Sequence, residues 1–341
     1  MAMRSATARR IGTAAGLALG AALDALLGDP RRRHPVAAFG RAAAALERRC
    51  YADSKVSGAL YAGVCVGGAA VLGVAADRLT RRRPLARTLF TAAATWAVLG
   101  GTSLGREGTA MAGELESGRL DAARDRLPHL CARDPAVLGP AALSRATVES
   151  IAENTSDAVV APLLWGAVAG APGLLAYRAV NTLDAMVGYR DGRYRDFGWA
   201  AARLDDVANW VPARLTALIT VVCAPLAGGS RRRSYEILRR DGGAHPSPNA
   251  GRCEAAVAGA LGVRLGGANS YHGRPERRPD LGDGGPPGIA DVRRAVLLSR
   301  AVTLVAVPLS AAVAALPWRR VAGAWGSGRG GRQGGGQGML R

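Results

Sequence analysis

The chain has 341 residues and a formal net charge of +19, and 49% of its residues are hydrophobic although only 5% are aromatic. The apolar residues are gathered into long Ala, Leu, Val and Gly runs rather than amphipathic patterns, which is typical of membrane helices and not of a soluble protein. The five cysteines form no C-x-x-C pair and the four histidines are scattered. The sequence therefore supports neither a disulfide framework nor a zinc site.

Arginine dominates the positive charge, because Lys55 is the one lysine among 45 basic residues. The arginines cluster in short stretches between apolar runs, at 31–33, 81–83 and 231–233. A nucleic-acid-binding protein would instead carry a basic stripe on a soluble fold. We therefore expect no nucleic-acid partner, and we expect membrane lipid and phosphorylated substrates as the anionic partners.

Six apolar runs are each about as long as the ~17–25 residues that cross a bilayer. They are 11–28, 58–76, 88–105, 158–178, 211–228 and 295–316. The first is predicted to be a retained helix rather than a cleaved signal peptide, because Asp24 interrupts its apolar region. The sequence predicts an all-α, polytopic integral membrane helical bundle. A single membrane domain at 11–317 would lie between an N-terminal tail at 1–10 and a disordered Gly/Arg-rich tail at 318–341.

The fourth run contains a helix-breaking sequence near its middle. Pro172 and Gly173 stand in 170-GAPG-173, where a helix is expected to kink or stop. Non-helical backbone at membrane depth is tolerated where protein or a wet cavity surrounds it. The segment 158–178 is therefore a candidate re-entrant pair of half-helices.

Acidic residues recur at helical spacing in 149-ESIAENTSDAVVAPLLWG-166. Glu149, Glu153 and Asp157 share one helical arc with Ser150 and Asn154. Three acids on one arc repel one another unless a cation neutralises them, and Mg²⁺ prefers oxygen ligands of this kind. A solvated helix face at the membrane boundary is an equally weighted alternative.

A second polar group lies at 181–215, beside the next apolar run. Asp205 and Asn209 are four residues apart, and Asp206 and Asn209 are three residues apart. On a helix these spacings place the three side chains on one face. Asn181 and Asp184 repeat this pairing upstream. Carboxylates at a membrane edge are functional candidates by default.

Two loops complete the set of polar motifs. In 241–273 a Gly-rich loop leads into a predicted helix near Gly251, with Asn249 as its expected cap and Glu254 in its first turns. Such a junction can hold phosphate, although an ordinary loop-helix junction explains it equally well. In 28-GDPRRRHPVAAFG-40 a turn explains Gly and Pro, but it does not explain Asp29 and His34.

Four stretches together resemble the signature blocks of a known family. They are LDALLGDPRRRHPVAAFG, ESIAENTSDAVVAPLLWG, YRAVNTLDAMVGYRDGRYRDFGWAAARLDDVANWVPARL and HPSPNAGRCEAAVAGALGVRLGGANSYHG. The resemblance is to the CobD/CbiB family of cobalamin-biosynthesis membrane proteins, the adenosylcobinamide-phosphate synthases, and it covers about residues 15–315. Arg252, Cys253 and Val257 depart from the residues expected in the last block, which puts the fine geometry of that loop in doubt.

The resemblance implies ATP-dependent amide formation between adenosylcobyric acid and aminopropanol phosphate, or a related amino-alcohol phosphate, with ATP and Mg²⁺ at the site. Activation of the carboxylate brings phosphate charge, and the amine needs a base. For these roles we expect the catalytic groups His34, Glu149, Glu153, Asp184 and His245. The expected metal ligands are Asp157, Asp205 and Asp206. The expected substrate and phosphate contacts are Asp29, Asn154, Asn181, Arg190, Asn209, Arg214, Ser247, Asn249 and Glu254.

The implied location is the cell membrane, with several spans, a cytoplasmic active site and other cobalamin-pathway enzymes as candidate partners. Because ATP is cytoplasmic, 149–157 and 181–206 must share one face, which requires 158–178 to dip and return. The run 211–228 must then also return or be partly peripheral. A non-catalytic membrane sensor or regulator, or a cation-coupled transporter, remains the alternative function.

Overall fold

The structure is a computed structural model that describes residues 2–29, 34–136, 138–189, 192–271 and 274–317. The tail predicted at 318–341 and Arg190 lie outside these residues. Most of the described chain is helical. The helices are α1 (Ala2–Leu27), α2 (Pro35–Cys50), α3 (Lys55–Leu79), α4 (Pro84–Val98), α5 (Gly101–Glu116), α6 (Leu120–Arg126), α7 (Pro140–Thr155), α8 (Ala161–Val187), α9 (Trp199–Ala208), α10 (Trp210–Cys223), α11 (Arg231–Asp241), α12 (Ala250–Leu261) and α13 (Ile289–Ala315).

Five helical stretches are long and apolar enough to cross a membrane, which indicates a multi-pass membrane protein. They are Ala6–Leu27, Lys55–Leu79, Pro140–Val187, Trp210–Ala227 and Ile289–Ala315. The prediction of one continuous span at 88–105 was wrong, because α4 ends at Val98 and α5 starts at Gly101. The all-α membrane fold predicted from the sequence is confirmed.

Small residues bring α1 and α4 together side by side. Gly12, Gly16 and Gly20 of α1 face Thr88, Thr91 and Thr95 of α4, one turn after another in the same order. The two helices therefore run parallel. A glycine at every fourth position lets helix backbones approach closely, which is a common way to pack helices in a membrane.

The chain reverses direction within α8, as predicted for the re-entrant segment. Gly170 has φ 68° and ψ −151°, a conformation open to glycine, and it divides α8 into two half-helices. The Tyr177 hydroxyl lies 3.1 Å from the carbonyl oxygen of Asp157, whereas twenty residues of straight helix would separate them by about 30 Å. We call residues 156–187 the helical hairpin and Gly170 its tip.

The neighbours of α3 define the two ends of the bundle. Gly58, near the start of α3, lies against the carbonyl of Phe197, and Gly73, near its end, lies against Pro172 beside the tip. An ion pair of 3.0 Å between Arg87 and Asp77 stands next to the tip. We call the end with the start of α3 the site side, and the end with the loop 80–83 the far side. Both ends of the helical hairpin are on the site side.

The remaining helices pack around the helical hairpin on the site side. Helices α10 and α12 run in the same direction, and α11 runs antiparallel to α12 between them in sequence, with the Ser234 hydroxyl donating to the carbonyl of Ala256 at 2.8 Å. After α12 comes an antiparallel β-hairpin, β1 (Leu265–Tyr271) and β2 (Arg274–Leu281). The sequence pattern does not predict these strands.

We predict that Gly170→Ala destabilises the folded protein by about 1–3 kcal/mol, because the tip requires a backbone conformation that a side chain strains. Gly67→Ala is the matched control, since a Cβ on this α3 residue would meet nothing within 4 Å. Thermal unfolding of the detergent-solubilised variants measures both. Equal melting temperatures for the two variants would contradict a strained reversal.

Candidate functional site

Three separate parts of the chain form the wall of one polar cavity. They are the start of the helical hairpin, the junction of α9 with α10, and the loop that leads into α12. The lining residues are Glu153, Ser156, Asp157, Asp205, Asn209, Ala213, Ser247, Asn249, Ala250 and Cys253. Four of the sequence motifs were expected to meet, and the cavity joins residues of three of them.

A widened turn carries the first of these groups. Residues Ser156–Val160 form a π-helical turn between α7 and α8, and Asp157 lies in it. Such turns are rare and often occur at functional sites, because the extra residue redirects the side chains around it. Here the turn places Ser156 and Asp157 on the cavity wall together with Glu153, one turn earlier.

A chain of hydrogen bonds links the hairpin to α9 and α10. The Tyr177 hydroxyl lies 2.8 Å from Asn209 Oδ1, and Asn209 Nδ2 donates to Asp205 Oδ2 at 3.0 Å. Asn181 also hydrogen-bonds the Asp205 side chain. The second oxygen, Asp205 Oδ1, is buried without a hydrogen-bond partner. The cavity therefore contains a carboxylate oxygen that is free to bind a ligand.

Burial changes the acidity of Asp205. Loss of solvent raises the pKa of this carboxyl from 3.8 to about 6, while the hydrogen bonds from Asn209 and Asn181 oppose the rise and the charge of Asp206 adds to it. The carboxylate form is therefore costly unless a cation compensates it. This is the electrostatic condition of a site that binds a positively charged ligand.

The predicted metal ligands are only partly brought together. Asp157 and Asp205 both line the cavity. Asp206 belongs to a different cavity and pairs with Arg203 at 3.3 Å. Among the described residues, no three His, Cys, Asp or Glu side chains form a ready-made metal site. Two carboxylates are enough for Mg²⁺ when waters and phosphate complete its coordination.

Asp184 and Glu254 lie close to the cavity without lining it. Asp184 is within electrostatic range of Asp205 and Glu153, and Glu254 is fully buried within range of Glu153. Burial raises the pKa of Glu254 well above its ordinary value. The acids thus form one cluster that extends beyond the cavity wall.

Glu149 has a different role from the other two acids of its arc. Its Oε2 accepts from Arg133 Nη2 at 2.6 Å, and its Oε1 accepts from the backbone N–H of Gly266 at 2.7 Å. Both groups of the Glu149–Arg133 pair are buried. Glu149 therefore ties α7 to the β-hairpin, and its oxygens are not presented to the cavity.

The two histidines predicted to be catalytic fix loops. His34 Nδ1 accepts from the N–H of Val36 at the start of α2, and His245 Nδ1 accepts from the N–H of Ser247. Burial lowers the pKa of both imidazoles. His245 Nε2 is buried without a partner, and neither histidine lines the cavity. In this arrangement both are neutral and positioned by the backbone.

The loop before α12 differs in detail from the expected cap. Asn249 precedes α12, but its side chain makes no cap hydrogen bond. Instead Asn249 Nδ2 donates to the carbonyl of Asp206 at 2.8 Å, and Ser247 Oγ accepts from the N–H of Ala250. Arg214 stacks on Trp210 with its guanidinium 4.0 Å from the ring centre. Ser247 caps the helix, and Asn249 joins the loop to α9.

The other predicted contact residues lie around the cavity. Asn154 Nδ2 donates to the carbonyl of Ser150 at 2.9 Å within its own helix. Asp29, like Asp157, is within electrostatic range of Arg178. Asp29 and His34 are therefore neighbours of the site through this arginine rather than parts of its wall.

Sequence reasoning missed several residues of the site. Tyr177 connects the two limbs of the site, Arg178 is a cation within electrostatic range of Asp157, and Cys253 lines the cavity. Arg252 Nε is buried without a hydrogen-bond partner. The segment 177-YR-178 lies inside an apolar run, and a Tyr-Arg pair at that depth was the available signal.

We predict that Asp205→Asn stabilises the Mg²⁺-free protein more at pH 7.5 than at pH 4.5. The unfolded carboxyl loses its proton near pH 4 and the folded one near pH 6, so stability falls as pH rises through this window and stays lower above it. Thermal unfolding of wild type and variant at both pH values measures the difference. An equal or larger gain at pH 4.5 would contradict the burial of this acid.

We predict that Glu149→Gln lowers the free energy of unfolding by about 3 kcal/mol, because the buried Arg133 loses the carboxylate that lies 2.6 Å from its Nη2. Glu116→Gln is the matched control, since its pair with Arg293 is exposed on both sides, and it should change stability little. Denaturant unfolding measures both. Equal effects would show that Glu149 is not a structural anchor.

Comparison with known proteins identifies the family. A family model described as CobD/Cbib protein matches residues 17–299. A cobalamin biosynthesis protein CobD from Mycobacterium tuberculosis is 56% identical over 298 residues, which cover 87% of this chain and 94% of the relative. Its counterpart from Geobacter metallireducens is 48% identical over 268 residues, 76% and 84% of the two chains. No solved structure matches. The chain belongs to the CobD/CbiB family and has a role in cobalamin biosynthesis.

Proposed function

We propose that the protein joins the free carboxylate of adenosylcobyric acid to the amine of aminopropanol phosphate, or a related amino-alcohol phosphate, in an ATP-dependent reaction that gives adenosylcobinamide phosphate. The observation that carries the proposal is the acidic cavity where the helical hairpin meets α9 and α10. Amide formation from a carboxylate needs activation by a phosphate donor, and such a site needs oxygen ligands for a divalent cation.

The cavity residues fit Mg²⁺ as the cation. All the candidate ligand atoms are oxygens, which Mg²⁺ prefers, and Asp205 Oδ1 is a buried acceptor without a partner. Asp157 and Asp205 would hold the ion, with Glu153 beside them. Mg²⁺ when bound supplies charge neutralisation for the phosphate groups.

Arginines and a helix start supply the remaining positive potential. Arg214 and Arg252 are within electrostatic range of each other, and Arg214 lies 3.5 Å from Asn249 on the cavity wall. The start of α12 opens on the cavity at Asn249 and Ala250. N–H groups at the start of a helix favour phosphate oxygens. We assign this end of the cavity to substrate phosphate and the end at Asp157 to the metal.

A carboxylate is the best candidate for the group that accepts the proton of the attacking amine. The Nδ1 atoms of His34 and His245 accept backbone hydrogen bonds. Asp157 and Asp205 are assigned to the metal, which leaves Glu153, the third carboxylate on the cavity wall, to take the proton.

The reaction would take place in the cell membrane with the site side in the cytoplasm, where ATP is available. The site side also carries most of the arginine-rich segments of the described chain, as the cytoplasmic side of membrane proteins commonly does. A cation-coupled transporter would bind cations without consuming ATP, and a sensor would form no amide. The products therefore distinguish the three functions.

We predict that the purified protein forms adenosylcobinamide phosphate from adenosylcobyric acid, aminopropanol phosphate, ATP and Mg²⁺, and that Asp157→Asn and Asp205→Asn each lower turnover about 100-fold or more, by loss of charge stabilisation. Asp196→Asn is the matched control, because Asp196 is exposed and 3.9 Å from Lys55 in the other cavity. Mass spectrometry of the corrinoid product measures turnover.

Two outcomes would contradict the proposal. Absence of amide product from well-folded wild-type protein with all four components would remove the ligase activity. A stronger effect of Asp206→Asn than of Asp205→Asn would move the site to the cavity beside Lys55, where Asp206 lies.

A further inference from the structure

We propose that α9 and α10 form a second, shallower re-entrant segment, which enters the bilayer from the site side and returns to it, and that the exposed apolar face of α10 rests against lipid hydrocarbon. The stretch Trp210–Ala227 is long and apolar enough to cross a membrane. Contacts at its two ends show that neither end reaches the far side.

The end of this stretch lies beside the start of α13. Arg294 donates to the carbonyl oxygens of Ala227 and Leu261, both at 2.9 Å. The preceding residue, Arg293, pairs with Glu116 at the end of α5. Helix α5 begins at Gly101, next to Asp24 and Val159, and leads away from the far side. Ala227 therefore emerges on the site side.

The beginning of the stretch lies deeper than its end. Trp165 Nε1 donates to the carbonyl of Ala208 at 3.0 Å, and Trp165 is five residues from the hairpin tip, a rise of about 8 Å. Helix α9 starts just after Phe197, which lies against Gly58, and Gly58 is about 22 Å from the level of the tip at Gly73. Helix α9 therefore descends roughly half of the way to the far side, and α10 climbs back.

The helix that follows α10 supports this path. Helix α11 packs antiparallel to α12, at the level of the part of α10 that is nearest to the site side. The outer face of α11 is charged along its length. The Arg232 side chain is 89% exposed and that of Glu236 is 56% exposed. Exposed charges of this kind are expensive in hydrocarbon. Helix α11 therefore lies outside the hydrocarbon on the site side. Because α10 leads directly into α11, the chain does not emerge on the far side between them.

One face of the α9–α10 segment is apolar and uncovered by any described residue. Its exposed residues are Val207, Trp210, Val211, Leu218, Val222 and Leu226. Helices α3 and α13 also carry exposed apolar residues, which include Leu60, Val64 and Leu304. Arg231 donates to the carbonyl of Val222 at the end of α10 that is nearest to the site side. An apolar face with an arginine at its upper edge fits acyl chains below anionic headgroups.

The sidedness test labels single cysteines with a membrane-impermeant maleimide in intact and inverted vesicles. Cys50→Ala and Cys131→Ala provide the background, because the other three native cysteines are buried. Ser230→Cys reports the end of α10, Ser117→Cys reports the site side and Arg82→Cys reports the far side. We expect Ser230→Cys to be labelled from the same side of the membrane as Ser117→Cys. We expect no labelling of Ser230→Cys from the side that labels Arg82→Cys. Labelling together with Arg82→Cys would overturn the proposal, because it requires α10 to cross.

The depth test places a nitroxide at Val207, Leu218 or Leu226 in nanodiscs that hold one copy of the chain. Collisions with oxygen and with a nickel chelate measure membrane depth. We expect depth to decrease steadily from Val207 to Leu226, with Val64 and Leu304 as lipid-facing references and Tyr235 as the water-facing one. A maximum at Leu218 with shallow ends indicates a crossing helix. Nickel access at Val207 and Leu218 indicates an aqueous face, and exclusion of both probes indicates a protein cover. Each of these three results would overturn the proposal.

Discussion

Gly170 turns the chain back inside the membrane bundle, and the contact between the two limbs of the helical hairpin at the site depends on that turn. A straight helix would carry residues 181–187 to the far side, away from Asp157. With the reversal, the two limbs of the helical hairpin lie side by side and Tyr177 reaches the carbonyl of Asp157. The polar motifs can then meet without an aqueous path through the bilayer, because irregular backbone at this depth is enclosed by protein.

Two groups of acids in the protein differ in their partners. Asp77 and Glu149 each have an arginine within 3.0 Å, and they fasten the hairpin tip and the β-hairpin. Asp205 in the cavity receives hydrogen bonds from amide groups, and one of its oxygens has no partner. Amide donors reduce the cost of a buried carboxylate without neutralising it. A ligand cation would complete this second group, whereas the first group is already complete.

The sequence predicted the features that depend on local pattern. Pro172 and Gly173 indicated the reversal, and the spacing of Glu153 and Asp157 indicated a shared face. It could not separate Glu149 from these two, because Arg133 and Gly266 reach Glu149 only in the folded chain. The β-hairpin was missed because glycines, prolines and arginines interrupt any alternating pattern in 265–281.

The sequence could not predict the break between α4 and α5 or the contacts of the two histidines. Gly100 donates its N–H to the carbonyl of Ala158 at 3.1 Å, so the helical hairpin contributes a contact to the break that the local sequence does not show. His34 and His245 each bind a backbone N–H two residues ahead, a contact that any loop histidine could make. The catalytic role expected of these two histidines therefore stays a prediction, and the contact that the structure shows for each is the one to the local backbone.

Helix α3 positions both the hairpin tip and the start of α9. Gly58 lets the carbonyl of Phe197 approach near the start of α9, and Gly73 lets Pro172 approach beside the hairpin tip. A Cβ at either position would collide with backbone, which cannot move as a side chain can. The spacing of two glycines on one helix thus fixes how deeply the tip reaches and where α9 begins. Asp205 and Asp157 meet because both of their segments are positioned against the same rigid helix.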